Sequence, residues 1–395
     1  MTHRTAAAHR VALLLATALA CLGAGAGTAV AKPATPTHQP EGTEVKVMSR
    51  NVYLGADLGP AIKSTSTADF IEANGGIVRQ VEATNFPVRA KGLAEEINEK
   101  EPDLVGLQEV ALWRTAPPSL GPVFSGVPSA TTVKYDFLKL LLDQLNKGRE
   151  RYRAVRVQDE FDFEAPADVN GVAGDGPGGG TGLLANAETN ARLTMRDVIL
   201  ARVGAGVKVS HPQSSHYSTL LSEKVAGSTP VTIARGWTAV DATVRGSRPF
   251  RFVNTHLESF DNREAVPSVR AQQAGELVAP GGPATGKLPV VLVGDLNSDV
   301  PTETAPGDGQ AYRVLLHAGF RERSTYKPLG CCIDESHYDL KSGSAAEFDH
   351  KVDHVMTNQP KLIRLISSSL TGRKMRNGYW DSDHNGLFSA LNILP

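Results

Sequence analysis

The chain has 395 residues, with 41 lysines and arginines against 42 aspartates and glutamates, a formal charge of −1. Hydrophobic residues make up 41% and charged residues 21%, ordinary globular usage that excludes a disordered tail, a collagen-like fibre or a polytopic membrane protein. The balanced charge also argues against a dedicated, strongly basic nucleic-acid binder.

Residues 1–31 have the form of an export signal. Arg4 and Arg10 precede the apolar run Val11–Leu22, and Ala29-Val30-Ala31 offers a small-x-small cleavage site before Lys32. Ala18-Leu19-Ala20 is a weak approach to a lipidated Cys21, so secretion of the cleaved chain is expected. Cleavage removes two arginines and no acid, leaving a charge of −3. Residues 32–43, rich in proline and threonine, are expected to be a disordered leader. The rest, 44–395, is long enough to bury a sizeable core, in one large domain or two ordinary ones.

From Glu44 onward, apolar runs alternate with helical patterns. Strands are predicted at 45–52, 103–110, 152–158, 198–203, 234–244, 249–258, 290–296, 351–357 and 386–393. Helices are predicted at 89–100, 135–147, 268–278 and 311–318 from three- and four-residue apolar spacing. This alternation implies a mixed α/β fold with sheet buried under helices. Residues 159–191 carry seven acids, no lysine or arginine, and the run Gly178-Gly179-Gly180, which predicts an acidic, flexible loop. Residues 321–349 read as a second long loop. They hold the two cysteines of the mature chain, Cys331 and Cys332. Adjacent side chains point apart, which suits a vicinal disulfide or free thiols better than zinc.

Several apolar strands end in a polar or ionisable residue. Side-chain alternation groups Val291, Val293, Asp295 and Asn297; Val105, Leu107 and Glu109; Phe252, Asn254 and His256; and Val45, Val47, Ser49 and Asn51. Lys351-Val352-Asp353-His354 and Ser382-Asp383-His384-Asn385 follow near the C-terminus. One carboxylate at a strand end is an ordinary solvated terminus. Six such endings at one sheet edge would form an ion site with acid–base groups. The oxygen donors of Glu109 and Asp295, with no thiolate among them, suit Mg²⁺ or Mn²⁺.

The ordered segments VKVMSRNVYLG ending at Gly55, DLVGLQEV (103–110), FVNTHLES (252–259), VVLVGDLNS (290–298), KVDHVM (351–356) and SDHNGL (382–387) resemble the endonuclease/exonuclease/phosphatase superfamily. The resemblance runs from about residue 44 to 395 and implies a four-layer α/β/β/α sandwich of two packed mixed sheets. It implies that Glu109 is the principal metal carboxylate with Asn51 beside it, and that Asp295 and Asn297 position the attacking water, Asp295 as base. His384 would stabilise charge on phosphorus, oriented by Asp353; His256 would be an acid or phosphate ligand; Asp383 would hydrogen-bond or touch a second metal. Arg196, with Asp197, occupies a stretch that approaches the phosphate in this superfamily. Trp380, four residues before His384, could border the cleft. His350 and His354 are four apart, but Val352 and Val355 make a strand there, so the spacing is not a zinc signature.

The substrate class is read from charge. A chain of −3 with an acidic loop suits a lipid headgroup or small glycerophosphodiester better than a nucleic acid, whose binding rests on lysine and arginine. A secreted nuclease is the alternative, and a catalytically silent binding module a weaker one, because every expected position is filled. No stable protein partner is evident in the sequence.

Overall fold

The computed structural model describes residues 41–176, 181–260, 267–300 and 309–395. The export signal 1–31, nearly all of the leader 32–43 and the run Gly178–Gly180 lie outside the described residues. The leader's last residue, Thr43, already belongs to a strand.

Along the chain come β1 (Thr43–Asn51), α1 (Gly59–Ile62), α2 (Thr67–Ala83), α3 (Phe86–Lys100), β2 (Leu104–Gln108) and β3 (Leu112–Ala116). Next are α4 (Gly121–Ser125), β4 (Thr132–Asp136), α5 (Phe137–Leu145), β5 (Tyr152–Ala167) and β6 (Thr189–Arg202). Then follow β7 (Val207–His216), β8 (Leu221–Val225), β9 (Thr229–Ile233), β10 (Gly236–Val244), β11 (Phe250–His256), α6 (Val269–Val278) and β12 (Val290–Asp295). The chain closes with α7 (Gln310–His317), β13 (Arg321–Glu322), β14 (Asp353–Thr357), β15 (Ile363–Thr371) and β16 (Gly386–Ile393).

Two mixed sheets pack face to face. One runs β15-β16-β1-β2-β6-β3-β4 with β5 also on β6; the other runs β13-β14-β12-β11-β10-β7. Val45 and Val47 of β1, Leu104 of β2, Phe252 of β11 and Val291 and Val293 of β12 fill the layer between them. Leu93 and Ile97 of α3, with Phe137 of α5, cover the outer face of the first sheet. Leu277 of α6 and Leu315 of α7 cover the second, over Val253 and Leu292. The result is the expected four-layer α/β/β/α sandwich. Residues at every second position of β11 and β12 point into the same layer, the period-two pattern of a strand buried on both faces.

The expectation for β2 is corrected in one respect. Val105 and Leu107 face the helices, while Leu104, Gly106 and Gln108 face the other sheet. A Cβ on Gly106 would lie 2.5 Å from Asn254 Oδ1 and Val293 Cγ2, so only glycine admits this approach. Beside it, Gln108 Nε2 donates to Asn254 Oδ1 at 2.6 Å across the sandwich.

The acidic stretch 159–191 is strand only at its two ends: β5 continues to Ala167 and pairs with β6, which starts at Thr189, and the described residues between them are turns and loop. Its acids are matched locally. Asp162 bonds Arg192, and Glu164 accepts the Ser129 and Ala130 amides and the Asn190 side chain at 2.7 Å each. The sequence showed the charges but not these partners, which lie on other elements. Helix α2, capped by Ser66 accepting from the Asp69 amide, was missed because Gly75 and Gly76 weaken its pattern. A Cβ at Gly75 would sit 1.6 Å from the Asp168 carbonyl, so that glycine permits contact with the end of β5.

His354 is structural, as its strand setting implied. Its Nδ1 lies 2.7 Å from Glu322 Oε2, and its Nε2 lies 3.1 Å from the Ser298 carbonyl. Burial alone would raise the Glu322 pKa, but Lys351, His354 and Ser324 outweigh it and pull it down to about 2. A depressed carboxyl contributes stability above its unfolded value, and that contribution is lost as pH falls toward its folded value. Wild-type protein is therefore expected to lose on the order of 3 kcal/mol from this group between about pH 5 and pH 2. Glu322→Gln should be less stable at pH 7 but show a flatter acid limb in urea melts; parallel limbs would refute the assignment.

Candidate active site

Strand register brings the site together. In the parallel pair β11/β12, His256 is opposite Asp295; in the antiparallel pair β12/β14, Asp295 is opposite Asp353. Three functional groups thus occupy one row across the second sheet. The first sheet supplies Asn51 at the end of β1, paired with Gln108, and Glu109 one residue further on. Glu109 has φ +59°, and its Oε2 accepts the Leu54 amide at 2.8 Å.

Asn51 Nδ2 donates to Asp295 Oδ2 at 3.1 Å, joining the sheets. The same oxygen is 3.5 Å from His256 Nε2 and 3.7 Å from His384 Nε2. His256 Nε2 is 4.0 Å from Glu109 Oε1. His384 Nδ1 lies 2.8 Å from Asp353 Oδ2, and Asp383 Oδ1 accepts from Ser382 Oγ at 3.2 Å. Asn297, at φ +46°, donates its backbone amide to Asp295 Oδ1 at 2.9 Å and its side chain to the Leu257 carbonyl.

Two buried arginines hold the contributing loops. Arg89 of α3 donates to the carbonyls of Val52, Tyr53 and Asp381. Arg50 donates to the His384 carbonyl and to Glu96 of α3. The loop after β1 and the segment before β16 are thereby fixed to one helix, though they lie far apart in sequence.

Electrostatics divides the two histidines. Burial, then Arg235, pushes the His256 pKa down to about 3, so its ring is neutral at pH 7. Its Nδ1 faces Arg235 Nη1 at 3.1 Å; an arginine can only donate, so the ring proton sits on Nε2, directed toward Asp295 and Glu109. Burial works against the charged form of His384, but Asp353, Asp383 and Asp295 prevail and lift its pKa to about 10. Asp295 stays ionised, because His384, His256, the Asn297 amide and Asn51 outweigh its burial. The pairing of a neutral and a charged imidazole around one carboxylate separates their chemical tasks.

Glu109 is pushed up to about 7 by burial and by Asp383; Asp383 is raised by its own burial. Two carboxylates crowded at one cavity wall, with the Asn51 amide between sheets, are the oxygen donors that a small divalent cation takes. The residues present therefore fit a hard metal. Asp295, Asp353 and His384 also have ligand atoms within 4.8 Å of one another.

The groups open into a cavity of about 260 Å³ lined by Glu109, His256, Asp295, Asn297, Asp383 and His384. Arg196 does not line it, and this corrects its expected role. Its guanidinium is occupied by the Val110 and Ala111 carbonyls and Asp136, so it braces the turn after Glu109 instead of meeting substrate. Trp380 packs edge-on against Phe348, with its indole N–H on the Ser342 carbonyl, and does not border the cavity. Asp197 is buried, its pKa raised by burial despite Arg235.

Sequence reading missed Arg235, among the described residues the one lysine or arginine that lines the cavity. It precedes β10, bonds Ser259 Oγ at 2.9 Å and lies 3.6 Å from Glu258. The available signal was an arginine closing the apolar run Val231–Ala234. Cys331 and Cys332 are joined by a disulfide, with Cys331 Sγ 3.4 Å from His384 Nε2.

A two-sheet sandwich carrying carboxylates, an amide and two histidines at one end defines a metal-dependent phosphoester hydrolase. The family model for the Endonuclease/Exonuclease/phosphatase family matches residues 73–384, and the chain belongs to that family. Among solved structures it is similar to an endonuclease/exonuclease/phosphatase family protein from Leptotrichia buccalis, at 16% identity and TM-score 0.49, covering 88% of this chain and 100% of that one. It is also similar to a mannosyl-6-phosphatase from Bacteroides thetaiotaomicron, at 14% identity and TM-score 0.46, covering 88% and 100%. A humanized D. rerio TDP2 matches at 16% identity and TM-score 0.46, covering 89% and 99%. No curated protein matches the chain.

Proposed function

We propose that the protein is an exported, Mg²⁺-dependent phosphodiesterase acting on a small or lipid phosphodiester. The observation that carries this reading is Asp295, an ionised carboxylate set between a neutral and a charged imidazole. Asp295 orients water for in-line attack and accepts its proton. Asn297 fixes that carboxylate through its amide. Charged His384, held by Asp353, stabilises the negative charge that develops on the phosphoryl oxygens. His256 gives those oxygens one hydrogen bond from Nε2. Its depressed pKa suits it to phosphate binding better than to proton donation. Glu109, Asn51 and Asp383 would hold the divalent ion, which supplies Lewis-acid polarisation of a phosphoryl oxygen.

Of the acids of 159–191, Asp162 is paired with Arg192 and Glu164 is held by amides and the Asn190 side chain, so the stretch is less repelling than its composition suggests. Among the described residues, Arg235 is the one lysine or arginine lining the cavity, which suits a single phosphate more than a polyanion.

A panel of DNA, RNA, sphingomyelin, phosphatidylcholine and glycerophosphodiesters tests the proposal. Turnover should favour the lipid or small diesters and vanish in excess EDTA. Plasmid degradation without lipid or glycerophosphodiester turnover would identify a nuclease, and turnover in EDTA would remove the metal. Export is supported by the pattern of 1–31 and by a disulfide-bonded cysteine pair. Protein recovered from the culture medium should begin at Lys32; recovery of full-length protein from the cytosol alone would contradict export.

A further inference from the structure

We infer that the substrate is a phospholipid and that one of its aliphatic chains enters the apolar part of the catalytic cavity. This deepens the hydrolase reading and rests on it. The cavity is continuous: Glu109, His256, Asp295 and His384 form one part of the lining, while the remainder is mainly hydrocarbon. Phe70 comes from α2, Phe161 and Phe163 from β5, Leu193 from β6, and Val231 and Ile233 from β9.

Phe161 and Phe163 lie two apart on one strand, so both project to the same side. Their rings stack at 5.9 Å, yet both remain only half-buried. Phe163 also packs edge-on against Phe70 at 6.2 Å, and the surface the two rings leave uncovered lines the cavity. Val231 and Ile233 belong to the two-stranded β8–β9 sheet, which joins neither large sheet. That hairpin is anchored beyond α1 by the amides of Ala226 and Gly227 on Ser64. An isolated hairpin is marginal on its own; here its apolar side chains complete a cavity wall.

Among the polar side chains in the lining away from the catalytic groups, Asp57 accepts the Gly59 amide. Asn74 spends its amide N–H on the Phe70 carbonyl one turn back. A polyol would need several convergent donors and acceptors, and water gains little in an apolar recess. The cavity's volume of about 260 Å³ is shared between the reacting phosphate and the chain, so it admits a short alkyl segment and not a whole acyl chain. With the phosphate at Asp295 and Arg235, the hydrocarbon has one continuous place to lie. Hydrolysis then follows the ordinary balance: the oxygen of water bonds to phosphorus, one ester P–O bond breaks, and the departing alkoxide takes up a proton.

The experiment uses alkyl phosphocholines with methyl, butyl, hexyl, octyl and dodecyl chains, kept monomeric, with Mg²⁺, and followed by ³¹P spectroscopy. For wild type, kcat/KM should rise about fourfold per added methylene and level off within the series, where the apolar recess is filled. Ala61→Phe, which fills the cavity, should move the plateau to shorter chains; Phe161→Ala should move it to longer ones. Should Ala61→Phe fail to fold, Phe161→Ala and the wild-type series still decide. Equal kcat/KM for methyl and octyl esters would overturn the chain site while leaving the hydrolase reading intact. No turnover of any phosphodiester, DNA and RNA included, would overturn the hydrolase reading. A separate binding titration then decides the chain site: Trp113 lines the cavity, and octylphosphocholine should shift its emission to the blue, saturably, in wild type but not in Trp113→Phe. Absence of that shift would overturn the inference.

Discussion

His384→Ala should lower kcat by about 10³-fold, with Tm changed by only a few degrees. The residue sits at the mouth of β16 with its ring in the cavity, so its loss leaves the two sheets and their packing untouched. What disappears is a fixed positive charge beside the reacting phosphorus. Asp353→Asn is the informative companion. Its side chain reaches His384 Nδ1 at 2.8 Å but does not line the cavity, so it acts through the ring. The amide should lower kcat by about 10–100-fold with KM nearly constant, and combining it with His384→Ala should add little further loss. His384→Ala retaining a tenth of wild-type kcat would remove the histidine from the reaction, and independent losses in the double variant would make Asp353 a separate contributor.

Mg²⁺ should raise the wild-type Tm by ~4 °C at a hundredfold excess over Kd, and Glu109→Gln should erase that rise. The sign of the metal-free comparison is the stronger discriminator. Burial and Asp383 push the Glu109 pKa from 4.5 up to about 7, so metal-free stability falls as pH rises between those two values and stays reduced above them. Without metal and above pH 7, Glu109→Gln should therefore melt at or above the wild-type temperature, since the amide oxygen still accepts the Leu54 N–H. A merely structural glutamate would behave the opposite way, with the variant melting lower and Mg²⁺ acting equally on both. Loss of activity in the variant then reports a lost ligand and not a damaged fold.

The layered architecture was legible because β11 and β12 carry hydrophobic residues up to His256 and Asp295, and β14 begins at Asp353. Those endings marked the site for the same reason: a polar group closing a buried strand must face either solvent or a cavity. Glu109 was found despite an incorrect account of its face. Alternation placed it with Leu107, whereas a left-handed backbone angle, invisible in the residue types, turns it into the site. Arg196 failed for a different reason. An arginine before an apolar strand gives no indication of whether its donors meet substrate or carbonyls, and here Val110 and Ala111 take them. Arg235 went unrecognised because its role depends on His256, Glu258 and Ser259, which only tertiary structure brings near. The apolar chamber was also hidden: Phe161 and Phe163 are a minor sequence feature until α2 and the β8–β9 hairpin close around them.

The contact of Gln108 with Asn254, beside Gly106, gives the interior a share in turnover. Asn51 and Glu109 ride on one sheet, His256 and Asp295 on the other, so sliding by one residue, ~3.3 Å, would separate the two halves of the reaction centre. A buried polar pair resists such sliding more sharply than hydrocarbon, which tolerates many near-equivalent packings. Selection for heat resistance that repacks this seam with bulkier aliphatics would thus yield sturdier but slower enzymes, with the defect originating far from any atom that touches phosphorus.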